Sequence, residues 1–182
     1  MKLINGVTEI YLPKIEQLYE EAFPEEEKKP FSMILEREAK NTVEVLAAIS
    51  EDSAKEPEAF RGEAITAKYE DMVLLDYFAI DAECRGKGNG SKTLKALQER
   101  YGKQRFFLEI ERTGVPAPNA EDRKRRKKFY LSNGMKQMDY YVEVRGVEME
   151  VLTYNCEITY EEYRALYRNV YGKEIEDTIK KI

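Results

Sequence analysis

A chain of 182 residues with 42% hydrophobic side chains is long enough to bury a core, and its net charge of −5 argues against non-specific attraction to nucleic acid. It has no histidine and only two cysteines, Cys84 and Cys156, which excludes Ser-His-Asp and Cys-His catalysis, a disulfide framework and any legible metal site. No window approaches about eighteen apolar residues, and the N-terminus lacks a basic segment followed by an apolar core, so a cytoplasmic protein without a membrane span is expected.

In chain order, Lys2-Leu3-Ile4 reads as a short first strand. Leu12-Pro13 opens a helix, because proline is tolerated in a first turn, and Ile15, Leu18, Tyr19, Ala22 and Phe23 recur at helical spacing until Pro24. Glu25 to Lys29 form a polar connection, and Ser32 begins a second helix through Ile34, Leu35 and Ala39. Residues 43–49, 60–69 and 72–80 read as successive strands, with a turn over 51–58.

The most informative stretch follows. Arg85-Gly86-Lys87-Gly88-Asn89-Gly90 separates the apolar run 72–80 from a helix capped by Ser91, with Leu94 and Leu97 three apart, ending near Gly102. Strand, glycine loop and helix in that order leave backbone N–H groups unpaired at a helix N-terminus, where they and the helix dipole attract phosphate. A phosphate-bearing ligand is therefore expected. A Walker A loop would need a glycine directly before the Lys92-Thr93 pair, and a dinucleotide fingerprint would need a third glycine at Ser91. Glu111, twenty residues beyond Ser91, suits a ribose-binding acid and keeps the dinucleotide reading open. The pattern R-x-x-G-x-G fits Arg85, Gly88 and Gly90 without a mismatch.

Beyond the loop helix, residues 105–111 form a strand, and Pro116 and Pro118 mark a loop. A helix runs from about 120 to 132 and closes at Asn133-Gly134-Met135, with Asn119 as its expected cap. Residues 137–145 and 147–154 resemble a hairpin turning at Gly146. Thr159 and Glu162 form a potential capping box ahead of a stripe of Tyr160, Tyr163, Leu166, Tyr167, Val170 and Tyr171. That stripe suits packing on the chain's own sheet, a homodimer interface or part of an acceptor pocket. Six consecutive cations, Arg123 to Lys128, step about 100° each around their helix and cannot all face one partner. A solvated face, a contact with a ligand phosphate and a nucleic-acid or acidic-protein patch are the readings, the last disfavoured by net charge.

Arg85, Gly88 and Gly90, with Phe78-Ala79-Ile80 upstream and the strand 105–111 and Phe129-Tyr130 downstream, resemble the GNAT superfamily of acyl-CoA-dependent N-acetyltransferases. The resemblance covers residues 1 to about 155; Met135 stands where the family usually has phenylalanine, and Arg123 where it often has asparagine. It implies a mixed α/β (α+β) fold: a mostly antiparallel central sheet of six to seven strands flanked by helices, in the order β-α-α-β-β-β-α-β-α-β-β. Residues 1–155 would form the catalytic domain, with 156–182 a C-terminal helical extension packed on it.

The resemblance further implies acetyl-CoA as acyl donor and a primary amine, on a small molecule or protein, as acceptor, in a ternary complex. Backbone N–H groups of Arg85, Gly86, Lys87, Gly88, Asn89, Gly90 and Ser91 would hold the pyrophosphate. Phe78, Ala79 and Ile80 would lie along the pantetheine arm, with an N–H near Ile80 meeting the thioester oxygen. Tyr130, four residues before Gly134, would donate a proton to the departing thiolate. With no histidine, the base must be a carboxylate, a tyrosine or a water chain; Asp76 and Glu109 are the candidates on the two strands. A non-catalytic acyl-CoA-binding or interaction module on the same fold is the alternative. The acceptor is a polyamine, aminoglycoside or lysine if Glu25-Glu26-Glu27 attracts a cation, although a solvated acidic loop explains that run equally.

Overall fold

The computed structural model describes residues 1–51 and 60–182; the expected turn over 51–58 therefore lies almost wholly outside the described residues. Eight strands hydrogen-bond in the order β1-β2-β3-β4-β5-β7-β6-β8, and the contacts divide the chain into two units. One comprises Met1–Ala67 and Leu75–Tyr101, the other Lys68–Leu74 and Gly102–Ile182.

In the first unit, β1 (Lys2–Asn5) and β2 (Val43–Ile49) pair antiparallel with Ile4 opposite Ala47, and β2 pairs antiparallel with β3 (Phe60–Tyr69) with Ala47 opposite Glu63. Both faces of β3 are covered from Gly62 to Ala67, so the strand lacks the polar alternation of a half-exposed one. Helix α1 (Leu12–Ala22) buries Ile15, Leu18 and Tyr19, and α2 (Phe31–Ala39) buries Phe31 and Ile34. Apolar positions three and four apart give each helix one inward face. β4 (Met72–Ile80) is followed by a short 3-10 turn (Ala82–Cys84) and then α3 (Asn89–Arg100).

In the second unit, β5 (Arg105–Glu111) pairs antiparallel with β7 (Val147–Tyr154), and β7 with β6 (Lys136–Val144) around a turn at Arg145-Gly146, both with positive φ. Helix α4 (Ala120–Ser132) buries only Tyr130, so an apolar face does not fasten it. It ends in a Schellman arrangement: the Met135 N–H donates to the Tyr130 carbonyl at 3.2 Å, the Gly134 N–H to the Leu131 carbonyl at 3.2 Å, and Gly134 takes φ +87°. Helix α5 (Tyr160–Tyr171) has the expected capping box and buries Tyr163, Leu166, Tyr167, Val170 and Tyr171 within the chain itself. The aromatic stripe is thus core, not a face offered to a second copy.

Three local expectations need correction. Helix α3 starts two residues before Ser91: Gly88 is its N-cap at φ +77°, a conformation glycine reaches without strain, and no side chain caps it. Asn119 does occupy the N-cap of α4, but its side chain is turned to Glu111 and Arg123 instead of the helix N–H groups. The chain also adds α6 (Lys173–Glu176) and a two-residue strand, β8 (Lys180–Lys181), paired with β6, which brings the sheet to eight strands.

Candidate functional site

The loop between β4 and α3 is shaped by its own side chains. The Arg85 Nε donates to the Ile80 carbonyl at 2.8 Å, the Lys87 Nζ to the Glu83 carbonyl at 2.8 Å, and the Asn89 Nδ2 to the Cys84 carbonyl at 2.9 Å. These three bonds return the chain to the end of β4 and to the 3-10 turn. Gly86 and Gly88 both have positive φ, +73° and +77°, and a Cβ at either position would point into open space. The N–H groups of Asn89, Gly90 and Ser91, in the first turn of α3, have no carbonyl one turn earlier in the helix to receive them. Unpaired amides at the positive end of a twelve-residue helix attract anions such as phosphate. The two cations contribute positive charge, with one donor of each directed at a backbone carbonyl.

Phe78, Ala79 and Ile80 form the last turnless stretch of β4 before this loop, with Ala79 buried and its neighbours half-buried. Asp76 lies two residues upstream. Its carboxylate receives Lys29 Nζ at 2.9 and 3.0 Å, and both side chains are almost fully buried. The next residue, Tyr77, serves the same segment: the Lys29 N–H donates to the hydroxyls of Tyr19 and Tyr77 at 3.0 Å each, and Tyr77 donates to the Glu27 carbonyl at 3.0 Å. The sequence places Asp76 and Tyr77 on opposite strand faces. The long lysine side chain lets one residue reach both. Tyr19, also packed edge-on against Tyr77 at 4.8 Å, has its hydroxyl pKa pushed far up, by burial first and then by Tyr77 and Asp76. The acidic loop between α1 and α2 is therefore anchored by buried lysines: Lys28 pairs with Glu20 and, at 2.6 Å, with Glu25.

In the second unit, Glu109 on β5 accepts hydrogen bonds from the hydroxyls of Tyr163 and Tyr167, the latter at 2.6 Å. Burial, followed by the neighbouring Glu109 charge, raises the Tyr163 hydroxyl well above its ordinary value, so it stays a donor. Glu111, two residues on, is gripped by Arg123 at 2.5 Å, Arg126 at 3.0 Å and the Asn119 amide at 3.2 Å. Glu150 on β7 takes Lys127 at 2.6 Å and both the N–H and hydroxyl of Thr113; these donors outweigh burial and hold its pKa down. Lys124 and Arg125 pair with Glu121 and Asp122 on their own helix. The cation run of α4 is thus largely consumed by carboxylates, three of its members fastening the helix to the strands. A cleft of about 480 Å³ lies along this helix, lined by Thr113, Lys124, Lys127, Lys128, Leu131 and Ser132.

Tyr130 is the one buried residue of α4, and burial pushes its hydroxyl to about 12, partly countered by the Arg126 charge. It therefore carries its proton at neutral pH. Among the described residues no group hydrogen-bonds that hydroxyl; Phe129 meets its ring edge-on at 5.1 Å.

Sequence reasoning missed one carboxyl. Glu63 on β3 is fully buried, and neither side-chain oxygen has a hydrogen-bond partner among the described residues. Burial alone drives its pKa well above the ordinary 4.5. The available signal was a glutamate within Gly62-Glu63-Ala64-Ile65, a run of small and apolar residues where a solvent-facing acid is out of place.

No family model and no curated protein matches the chain. Solved structures do. An acetyltransferase assigned to the GNAT family from Bacteroides thetaiotaomicron superposes with a TM-score of 0.74 at 21% identity, covering 95% of this chain and 99% of that one. An aminoglycoside 6′-N-acetyltransferase complexed with coenzyme A gives a TM-score of 0.64 at 12% identity, covering 87% and 100%. A Bacillus subtilis acetyltransferase in complex with CoA gives 0.57 at 12% identity, covering 86% and 99%. The likeness is one of fold: the chain has the mixed, mostly antiparallel GNAT sheet with its flanking helices, as the motif implied.

Proposed function

We propose that this chain is an N-acetyltransferase that moves an acetyl group from acetyl-CoA to a primary amine by direct attack within a ternary complex. The observation that carries the reading is the Arg85–Ser91 loop, whose positive-φ glycines and unpaired amides at the start of α3 suit a diphosphate. The fold it shares with two coenzyme A complexes supports the same donor.

In this reading the amides from Arg85 to Ser91 hold the pyrophosphate, and Phe78, Ala79 and Ile80 present a strand edge to the pantetheine arm. A backbone N–H near Ile80 receives the thioester oxygen as it gains negative charge. Tyr130, protonated and unengaged, gives its proton to the departing thiolate. Asp76 and Glu109 remain candidates for the base, each already engaged, by Lys29 and by the two tyrosines.

Calorimetry with acetyl-CoA is the test. Binding in the micromolar range is expected, and no heat at high micromolar concentration would remove the reading. Tyr130→Phe should lower turnover about 10- to 100-fold with acetyl-CoA affinity unchanged; equal turnover would remove Tyr130 from the mechanism. The engagement of both candidate bases favours one rival, a non-catalytic acyl-CoA-binding module, which predicts acetyl-CoA binding without thiol release on any amine.

A further inference from the structure

A buried ion pair is a poor source of stability, because desolvating both charges offsets their attraction and an apolar pair of similar size often holds as well. Lys29 and Asp76 form such a pair. Their side chains are 7% and 3% exposed, whereas the cations that hold Glu111, Glu150 and Glu176 are 16% to 59% exposed. The Lys29 ammonium reaches both Asp76 oxygens and lies 5.0 Å from the centre of the Tyr77 ring. What a charged pair adds over an apolar one is direction: it fixes one position and one orientation of the groups it joins.

On one side of the pair is the connection between α1 and α2. The Lys29 N–H donates to the hydroxyls of Tyr19 and Tyr77, the Tyr19 hydroxyl donates back to the Lys29 carbonyl at 2.8 Å, and the Tyr77 hydroxyl donates to the Glu27 carbonyl. Pro30 follows as the N-cap of α2, and a proline holds the residue before it away from helical geometry, so the bonds that fix Lys29 also fix where α2 begins. On the other side is β4. Strand alternation puts Asp76 on the face of Phe78 and Ile80, about 7 Å along the strand from Phe78. The tyrosine bonds hold the connection to the face that carries Tyr77; the lysine side chain extends that hold to the face that carries Phe78 and Ile80.

We infer that Lys29 and Asp76 are positioning residues: their ion pair fixes the end of β4 so that Phe78 to Ile80 meet the thioester in one alignment, and Asp76 is not the proton acceptor. The inference rests on the acetyl-transfer reading and narrows it, leaving the base among Glu109, a tyrosine and a water chain. An Asp76 carboxylate bound by an ammonium through both oxygens would have to release that partner to accept a substrate proton, and a buried ammonium would then stand uncompensated. Alignment, by contrast, is what the pair supplies. A misplacement of about 1 Å at the reacting atoms costs about 100-fold in rate. A pair that stops the end of β4 from shifting therefore acts on turnover, while the grip on the diphosphate belongs to the Arg85–Ser91 loop.

The experiment compares wild type with Asp76→Asn, Lys29→Met and the double variant Lys29→Met/Asp76→Asn, which removes both charges at nearly constant volume and keeps the comparison open where a lone buried charge unfolds a single variant. It reads thiol release on spermidine, kanamycin and lysine against pH, acetyl-CoA affinity by calorimetry, and hydrogen exchange over residues 27–29 and 76–80. The variants leave Tyr19, Tyr77 and Lys28 with its partners Glu20 and Glu25 in place, so a moved pH midpoint reports the pair itself. The double variant should lose about 30-fold in kcat, no more than either single variant that folds, with acetyl-CoA affinity and amine KM within about threefold of wild type. The acid-side midpoint of kcat/KM should stay where it is, and exchange should quicken at 76–80. Loss or displacement of that midpoint overturns the inference, because Asp76 would then be the base. Turnover of the double variant within about threefold of wild type, or unchanged exchange at 76–80, overturns it as well and leaves an ordinary structural ion pair. So does a parallel fall in acetyl-CoA affinity, which would assign the pair to the cofactor site. A wild-type protein that binds acetyl-CoA and acetylates none of the three amines removes the acetyl-transfer reading, and this inference with it, whatever the exchange shows.

Discussion

Within each unit buried carboxylates are clamped by donors, and the difference between the units lies in one residue, Glu63. In the second, almost every buried carboxylate is surrounded by donors: Glu111 by two arginines and an amide, Glu150 by a lysine and a threonine, Glu176 by Arg164 and Arg168 at 2.6 Å each. In the first, Asp76 is clamped by Lys29, but Glu63 has no such donor among the described residues, and the amides opening α3 have no helical carbonyl to receive them. Satisfied groups hold elements in place, whereas unsatisfied ones carry a cost that a ligand can relieve. The contrast teaches where to look for chemistry: stability should reside in the clamps of the second unit, and binding in the amides left open.

Breaking a clamp should have the largest effect. Glu111→Ala leaves Arg123 without its carboxylate and frees a helix that buries only one side chain, so a loss of about 2–3 kcal/mol is expected by urea unfolding. The opposite sign is expected at Glu63. Its folded-state pKa lies above the unfolded one, so folding takes up a proton and wild-type stability falls as pH rises from the ordinary carboxyl range through the folded value. Glu63→Gln, which cannot ionise, should match wild type in acid and melt higher as pH increases; a gap that fails to widen would mean the carboxyl is ionised in the folded protein. Smaller again is Gly88→Ala, which forces a Cβ into a left-handed conformation worth about 1–2 kcal/mol and should weaken acetyl-CoA about tenfold by calorimetry, with α4 and α5 unaffected. Thr159→Ala removes one half of the α5 capping box and should cost about 1 kcal/mol in urea, with no change in acetyl-CoA affinity.

The strands and helices were legible where the signal is local. Residues 43–49, 60–69, 72–80 and 105–111 carry dense apolar runs, and the R-x-x-G-x-G loop is a contiguous pattern in which Gly86 and Gly88 have a backbone reason to be there. Ser91 misled because serine is a favoured cap, but the Asn89 side chain bonds back to Cys84 and Gly88 takes the turn, so the helix begins earlier. The candidate site was legible only in its backbone half. Glu109 meets tyrosines 54 and 58 residues away, and Asp76 meets a lysine 47 residues away, distances at which no periodicity speaks. Glu63 was hidden by a different cause: a strand covered on both faces has no alternation against which a charged residue stands out.

The bonds from Arg85, Lys87 and Asn89 to carbonyls behind them mean that the loop does not wait for a partner to acquire its curvature. Three side chains that would otherwise be frozen on association, each at roughly 0.5–1.5 kcal/mol, are ordered beforehand. In the proposed acetyl-CoA complex, the nucleotide would meet a preformed bend whose grip comes from peptide dipoles more than from mobile ammonium groups. Such a grip should form without waiting for side chains to swing inward, and added salt should weaken it less than one built from lysines alone.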